Sequence, residues 1–233
     1  MVALKNAVVE GKFDTGRDEF VYIGAPSKLY RTKTFLDNGV IRSKGKATEM
    51  FLQTSEGQYD AVDPKDFDAV VIYGGNYHLQ GLFASLLRAS SQQNNCFSSA
   101  FLTKGSQGWL EKTRTIDTIR EMKARADAQI VLMFEPFFSE RYKKKMPEGA
   151  VISEKTRDIV FDALREVVED AGAICLFQPE ETITDVIYSH HELAQDSRRM
   201  VGGGTEAHDN EDLTHLNSTY GAKALEKIRT ALT

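Results

Sequence analysis

The sequence predicts an α/β fold: a doubly wound parallel β-sheet flanked by helices, a flavodoxin-like three-layer sandwich, formed as a single domain over residues 1–233. Three observations predict it. Short β-rich runs recur along the chain and are continuous in their apolar residues, as expected of strands covered on both faces. Segments with apolar residues at helical spacing lie between those runs. Strand and helix patterns alternate from end to end, which argues for parallel strands joined by crossover helices.

The first run is Phe20-Val21-Tyr22-Ile23, ending at Gly24. The second, Asp68-Ala69-Val70-Val71-Ile72-Tyr73, ends at Gly74-Gly75, and Leu79, Leu82, Phe83, Leu86 and Leu87 then recur at helical spacing. One more strand is expected within residues 39–53. Residues 92–112, rich in Gln, Asn, Ser and Gly, read as a long loop or small insertion. Ile116, Ile119 and Met122 mark a helix before the third run, Gln129-Ile130-Val131-Leu132-Met133-Phe134, which ends at Glu135-Pro136. A helix from near Ser153 to Gly172 carries Val160, Leu164, Val167 and Val168 on one face. The fourth run, Ala173-Ile174-Cys175-Leu176-Phe177, ends near Pro179. Residues 185–211 form a second polar stretch containing Gly202-Gly203-Gly204, with the length and composition of a lid from Tyr188 to Glu211. Ala224, Leu225, Ile228 and Leu232 give the last helix its apolar face. In a sheet of this kind ligands bind at the carboxyl ends of the strands, so the Gly- and Pro-marked ends of the first three runs are expected to face one crevice.

Composition narrows the function classes. Hydrophobic residues make up 41% and charged residues 27%, the proportions of a soluble globular chain. The net charge is -5 and the one basic run is Lys143-Lys144-Lys145, so no nucleic-acid partner is expected. No apolar run is long enough to cross a membrane, and residues Met1 to Phe20 carry charges throughout, unlike a secretory signal. Cys96 and Cys175 sit among apolar neighbours without metal-ligand spacing, which fits a reducing, cytoplasmic setting. No cofactor is called for.

Three elements carry chemistry. Gly74-Gly75-Asn76 follows a strand and precedes a helix; glycines there let backbone N–H groups approach a ligand, and the Asn76 amide adds a donor of the kind that stabilises an oxyanion. The same residues also suit a tight turn with Asn76 as helix cap. Ser27, after Gly24-Ala25-Pro26, stands where a helix begins and offers either a hydroxyl nucleophile or a cap. In Asp212-Leu213-Thr214-His215-Leu216-Asn217, an acid three residues before a histidine can hold the imidazole in one tautomer, leaving the other ring nitrogen to take a hydroxyl proton. Asn217 is the remaining candidate for substrate contact. His78 follows the Gly-Gly-Asn element and is expected at the pocket's border, whereas Glu135 reads as a solvated turn carboxylate. His190-His191 reads as polar loop, and His208-Asp209 as a competing acid–base pair or polar loop.

In chain order these pieces resemble the SGNH (GDSL-type) hydrolase superfamily. The resemblance rests on Gly74-Gly75-Asn76 as the Gly-x-Asn element and Asp212-Leu213-Thr214-His215 as the Asp-x-x-His block before the last helix. It implies a Ser27–His215–Asp212 triad, with Gly74 and Asn76 at the oxyanion hole. The first block departs: the family reads Gly-Asp-Ser, and this chain has Gly24-Ala25-Pro26-Ser27, one residue longer and without the acid. Gly45 and Gly57 are both candidates for the family's second-block glycine, and Tyr77 stands where Asp is common.

Three functions follow as expectations. The first is an ester hydrolase or O-acyl transferase acting on a small-molecule or carbohydrate ester; the O-acetylated sugar is what the resemblance implies. The second is a degenerate relative that binds such a ligand without turnover. The third is a metal-dependent hydrolase using His190, His191 and Asp209 or Asp212.

Overall fold

A computed structural model describes residues 1–74, 78–93, 97–145, 152–201, 204–208 and 212–233, with the side chains of 27, 90–93, 199–201, 204 and 205 left aside. Along the chain come α1 (Val2–Val9), α2 (Ser27–Lys33), β1 (Thr34–Asp37), β2 (Val40–Ser43), α3 (Lys46–Thr54) and β3 (Ala61–Val62). Next are β4 (Ala69–Gly74), α4 (Leu79–Gln93), α5 (Ser99–Glu111), α6 (Arg114–Arg125), β5 (Gln129–Phe134), α7 (Glu154–Asp170) and β6 (Ile174–Leu176). Two hairpins, β7 (Ile183–Thr184) with β8 (Tyr188–Ser189) and β9 (Arg198–Val201) with β10 (Gly204–Ala207), precede α8 (Ser218–Leu232).

The fold is mixed α/β, with β4, β5 and β6 forming a parallel sheet in that order among the helices. β5 is central, and its side chains divide by the period of two. Ile130, Leu132 and Phe134 enter a core with Phe83 of α4, Leu110 of α5, Ile119 of α6 and Leu164 of α7. Val131 and Met133 enter a second core with Leu4 of α1 and Tyr220 and Leu225 of α8. Burial of each large apolar side chain contributes about 1.5–3 kcal/mol, so the unbroken run Gln129–Phe134 holds helices from either side. At Gly221 of α8 an added Cβ would lie 2.0 Å from the Ala3 carbonyl oxygen, so α1 crosses α8 closely enough to require glycine.

Two expectations are corrected. The run Phe20–Ile23 forms no strand: among the described residues no backbone hydrogen bond joins it to β4. Its side chains are nevertheless spoken for, Phe20 and Tyr22 by the core around α8 and Ile23 by the core around α7. Its end is held by Thr54, whose hydroxyl accepts from the Gly24 N–H at 3.0 Å. Residues 39–53 hold the expected strand as β2, followed by the helix α3. Within 92–112, residues from Ser99 to Glu111 are helix α5, capped by Ser98, whose hydroxyl accepts from the Phe101 N–H at 3.2 Å. The expected loop concealed it because Gly105, Ser106 and Gly108 interrupt the apolar stripe, although Ser106 is buried between Leu102 and Leu110.

The polar stretch after 185 is partly ordered into hairpins, and β9–β10 leads directly to His208, whose N–H continues the ladder to the Ser197 carbonyl at 2.9 Å. The loop after β5 is fixed from behind. Buried Gln178 accepts from the Phe137 N–H at 2.7 Å and donates to Ser189 at 2.8 Å, and the Ser189 hydroxyl donates to the Phe137 carbonyl at 2.6 Å. Beneath it the rings of Phe161 and Phe177 stack at 3.9 Å, with Phe134 stacked on Phe177 at 5.2 Å. No helix among the described residues is long and apolar enough to cross a membrane.

Candidate active site

The run that did not become a strand leaves space beside β4. A crevice of about 1840 Å³ lies between residues 17–26 and that strand. It extends to the carboxyl ends of β4 and β5, where Pro26, His78, Glu135 and His215 line it. Two imidazole–carboxylate pairs therefore face one cavity.

The first pair is built by a short segment. Asp212 Oδ1 accepts from the Thr214 N–H at 2.8 Å, the Thr214 hydroxyl at 2.8 Å and the His215 N–H at 3.1 Å. These bonds fold the chain back so that Oδ2 meets His215 Nδ1 at 2.7 Å. The same oxygen meets His208 Nδ1 at 2.8 Å, and the two imidazoles stack at 4.2 Å. Partial burial opposes the Asp212 charge, but the Thr214 N–H, His215 and the Thr214 hydroxyl outweigh it and hold the carboxyl down to about 2. With Nδ1–H donated to a fixed carboxylate, the neutral His215 ring has its lone pair on Nε2. The Asp212 side chain is 15% exposed and that of His215 58%, so a partly buried anion orients a base that opens to the crevice.

The second pair is built by the fold. Glu135 follows β5, bonds His78 Nδ1 through its carboxylate, and is 24% exposed. It lies directly over Gly74, where φ is +83° and an added Cβ would fall 2.6 Å from the Glu135 side chain. Glycine at the end of β4 thus clears the path of the carboxylate to His78. The bond to Glu135 raises the His78 pKa above its ordinary value, against burial and the charge of Arg31. The His78 ring packs 5.8 Å from that of Phe138, and the next residue, Ser139, donates its N–H to the Leu213 carbonyl at 2.8 Å. One loop therefore touches His78 and the segment that carries His215.

Of the residues expected from sequence, Asp212 and His215 come together. The backbone of Ser27 opens α2, with Pro26 rather than Ser27 in the cap position, and Pro26 lines the crevice. The Ser27 side chain and Asn76 lie outside the described residues. Gly74 is buried beneath Glu135 rather than lining the crevice. Asn217 has its amide committed elsewhere: Oδ1 accepts from the Thr219 and Tyr220 N–H groups, and Nδ2 donates to the Glu192 and Gln195 carbonyls. It caps α8 and does not line the crevice. Neither Gly45 nor Gly57 lines it.

His190 and His191 are not brought to Asp212. His191 instead bonds the Ser139 hydroxyl through Nδ1 at 3.1 Å, and Asp209 lies outside the described residues. The only described His/Asp/Glu/Cys group tight enough to share an ion is His208, Asp212 and His215. Burial pushes the Cys175 thiol up to about 12, which removes it as a thiolate nucleophile. Sequence reasoning paired His208 with Asp209 rather than Asp212 and took Glu135 as a solvated turn carboxylate. Spacing gave a signal for His208, four residues before Asp212; the only signal for Glu135 was its place at a strand's carboxyl end.

Comparison with models of known protein families, with curated proteins and with solved structures finds no match.

Proposed function

We propose that the chain is a serine-dependent ester hydrolase or O-acyl transferase of the SGNH (GDSL-type) kind, acting on a small-molecule or carbohydrate ester. The observation that carries this reading is the Asp212–His215 contact of 2.7 Å, with the anion partly buried and the imidazole exposed at the carboxyl ends of the parallel strands. The flavodoxin-like layering belongs to the same reading, supported by the division of β5 side chains between two helical cores.

In this mechanism Ser27, at the start of α2, attacks the ester carbonyl, and His215 Nε2 takes its proton. Asp212 keeps the ring in the required tautomer and stabilises the imidazolium that forms. Asn76 comes from the element assigned to the oxyanion; loss of one such donor typically costs about 10²–10³ in turnover. The test is labelling with a fluorophosphonate, followed by mapping of the modified residue. Adduct on Ser27, lost in Ser27→Ala and in His215→Ala, is the expected result. Full ester turnover by Ser27→Ala sinks the assignment. An unlabelled protein that still binds a carbohydrate ester in saturable fashion establishes the binding-only alternative motivated by Gly24-Ala25-Pro26-Ser27.

A further inference from the structure

We propose that His78, positioned by Glu135, is a second catalytic acid–base residue of this crevice and protonates the leaving alcohol while His215 serves the serine. The inference rests on the ester-transfer reading. His78 follows the carboxyl end of β4, lines the crevice and has a 53% exposed side chain. Its Nδ1 is taken by Glu135, so Nε2 is the ring nitrogen left for a substrate. The position is defended by the fold: Gly74 gives up its side chain to make room for the carboxylate, and the Gln178 network pins the loop that bears it. A solvated turn carboxylate needs neither. Ser139 ties that loop to Leu213, two residues before His215, so one loop touches both His78 and the segment that carries His215.

The cycle balances without an external acid or base. In acylation, neutral His215 takes the Ser27 proton as the serine oxygen bonds to the carbonyl carbon. When the intermediate collapses, the carbon–alkoxide bond breaks, and the departing oxygen keeps the electron pair and takes the proton from His78 Nε2. His215 is now protonated and His78 neutral. In deacylation His78 takes a proton from water as the water oxygen bonds to the acyl carbon, and His215 returns its proton to the Ser27 oxygen as that bond breaks. Both rings end as they began.

The experiment compares two acetyl esters, 4-nitrophenyl acetate and an acetylated methyl glycoside, in the unaltered protein, His78→Gln and Glu135→Gln. A nitrophenoxide leaves without a proton, whereas a sugar alkoxide needs one in the transition state. Because kcat/KM reports acylation, His78→Gln should lose about 10²–10⁴-fold on the glycoside and under ~10-fold on the nitrophenyl ester. Glu135→Gln should show the same imbalance to a smaller degree. The ratio of the two losses within one variant does not depend on the fraction folded. Equal losses on both esters, or none, overturn the acid role and leave the esterase reading standing. No turnover of either ester by the unaltered protein overturns both.

Discussion

The two imidazole–carboxylate pairs of the crevice are made in opposite ways. Asp212 and His215 belong to one short segment, and the carboxylate is wrapped by N–H and hydroxyl donors from Thr214 and His215. Glu135 and His78 come from the ends of different parallel strands and meet only because β4 and β5 pair in register from Ala69↔Gln129 to Gly74↔Phe134. The local pair carries its own electrostatics, with its acid at about 2. The distant pair depends on the sheet, on a glycine, and on a buried amide network. A local turn thus supplies the more self-sufficient anion, while the fold supplies the pair most easily lost to a distant change.

Four substitutions or conditions test that contrast. Asp212→Asn keeps an oxygen for Thr214 but disturbs the His215 tautomer; ester turnover should fall by about 10⁴, and the unfolding midpoint at neutral pH should fall with the loss of the anion's stabilising contribution. Gly74→Ala attacks the other pair through the backbone. It forces a methyl into Glu135 at a positive φ and should cost roughly 1–3 kcal/mol in denaturant unfolding. The same change should lower the His78 pKa, followed by its C2–H resonance.

Acid titration separates the pairs again. Because the folded Asp212 carboxyl sits near 2, below its ordinary 3.8, it binds fewer protons folded than unfolded. Its stabilising contribution is complete above the ordinary value and disappears as pH falls through about 2; a stability-against-pH curve flatter in Asp212→Asn over that window is the expected result. The smallest effect lies away from both pairs. Gly105→Ala and Gly108→Ala meet nothing within 4 Å and should each stabilise α5 by about 0.5–1 kcal/mol without altering turnover.

What was legible in the sequence follows the same division. β5, α7 and α8 were legible because each is a continuous or periodic apolar pattern read within its own window. Asp212 and His215 were legible because their geometry is set by three intervening bonds of chain. Glu135 was not, since its partner lies beyond α4, α5, α6 and β5, and nothing local distinguishes it from a solvated turn acid. The run Phe20–Ile23 misled for a related reason. Phe20, Tyr22 and Ile23 are partly buried against two cores, which is the property that β-rich composition detects, but ladder bonding is a separate property that composition does not report. Asn217 stood beside the right histidine and serves the helix that follows it.

The bare flank of β4 has a consequence for hydrogen exchange. In a parallel ladder, alternate residues direct N–H and C=O to opposite neighbours. β4 has a strand on the β5 side only, and among the described residues its other flank is bonded to no backbone. Amide deuteration read residue by residue from Ala69 to Tyr73 should therefore rise and fall with a period of two: slow where the N–H points at β5, fast where it points at water. Slowing of the fast set when an ester analogue is added would locate that ligand on the strand's open side, without reference to any catalytic group.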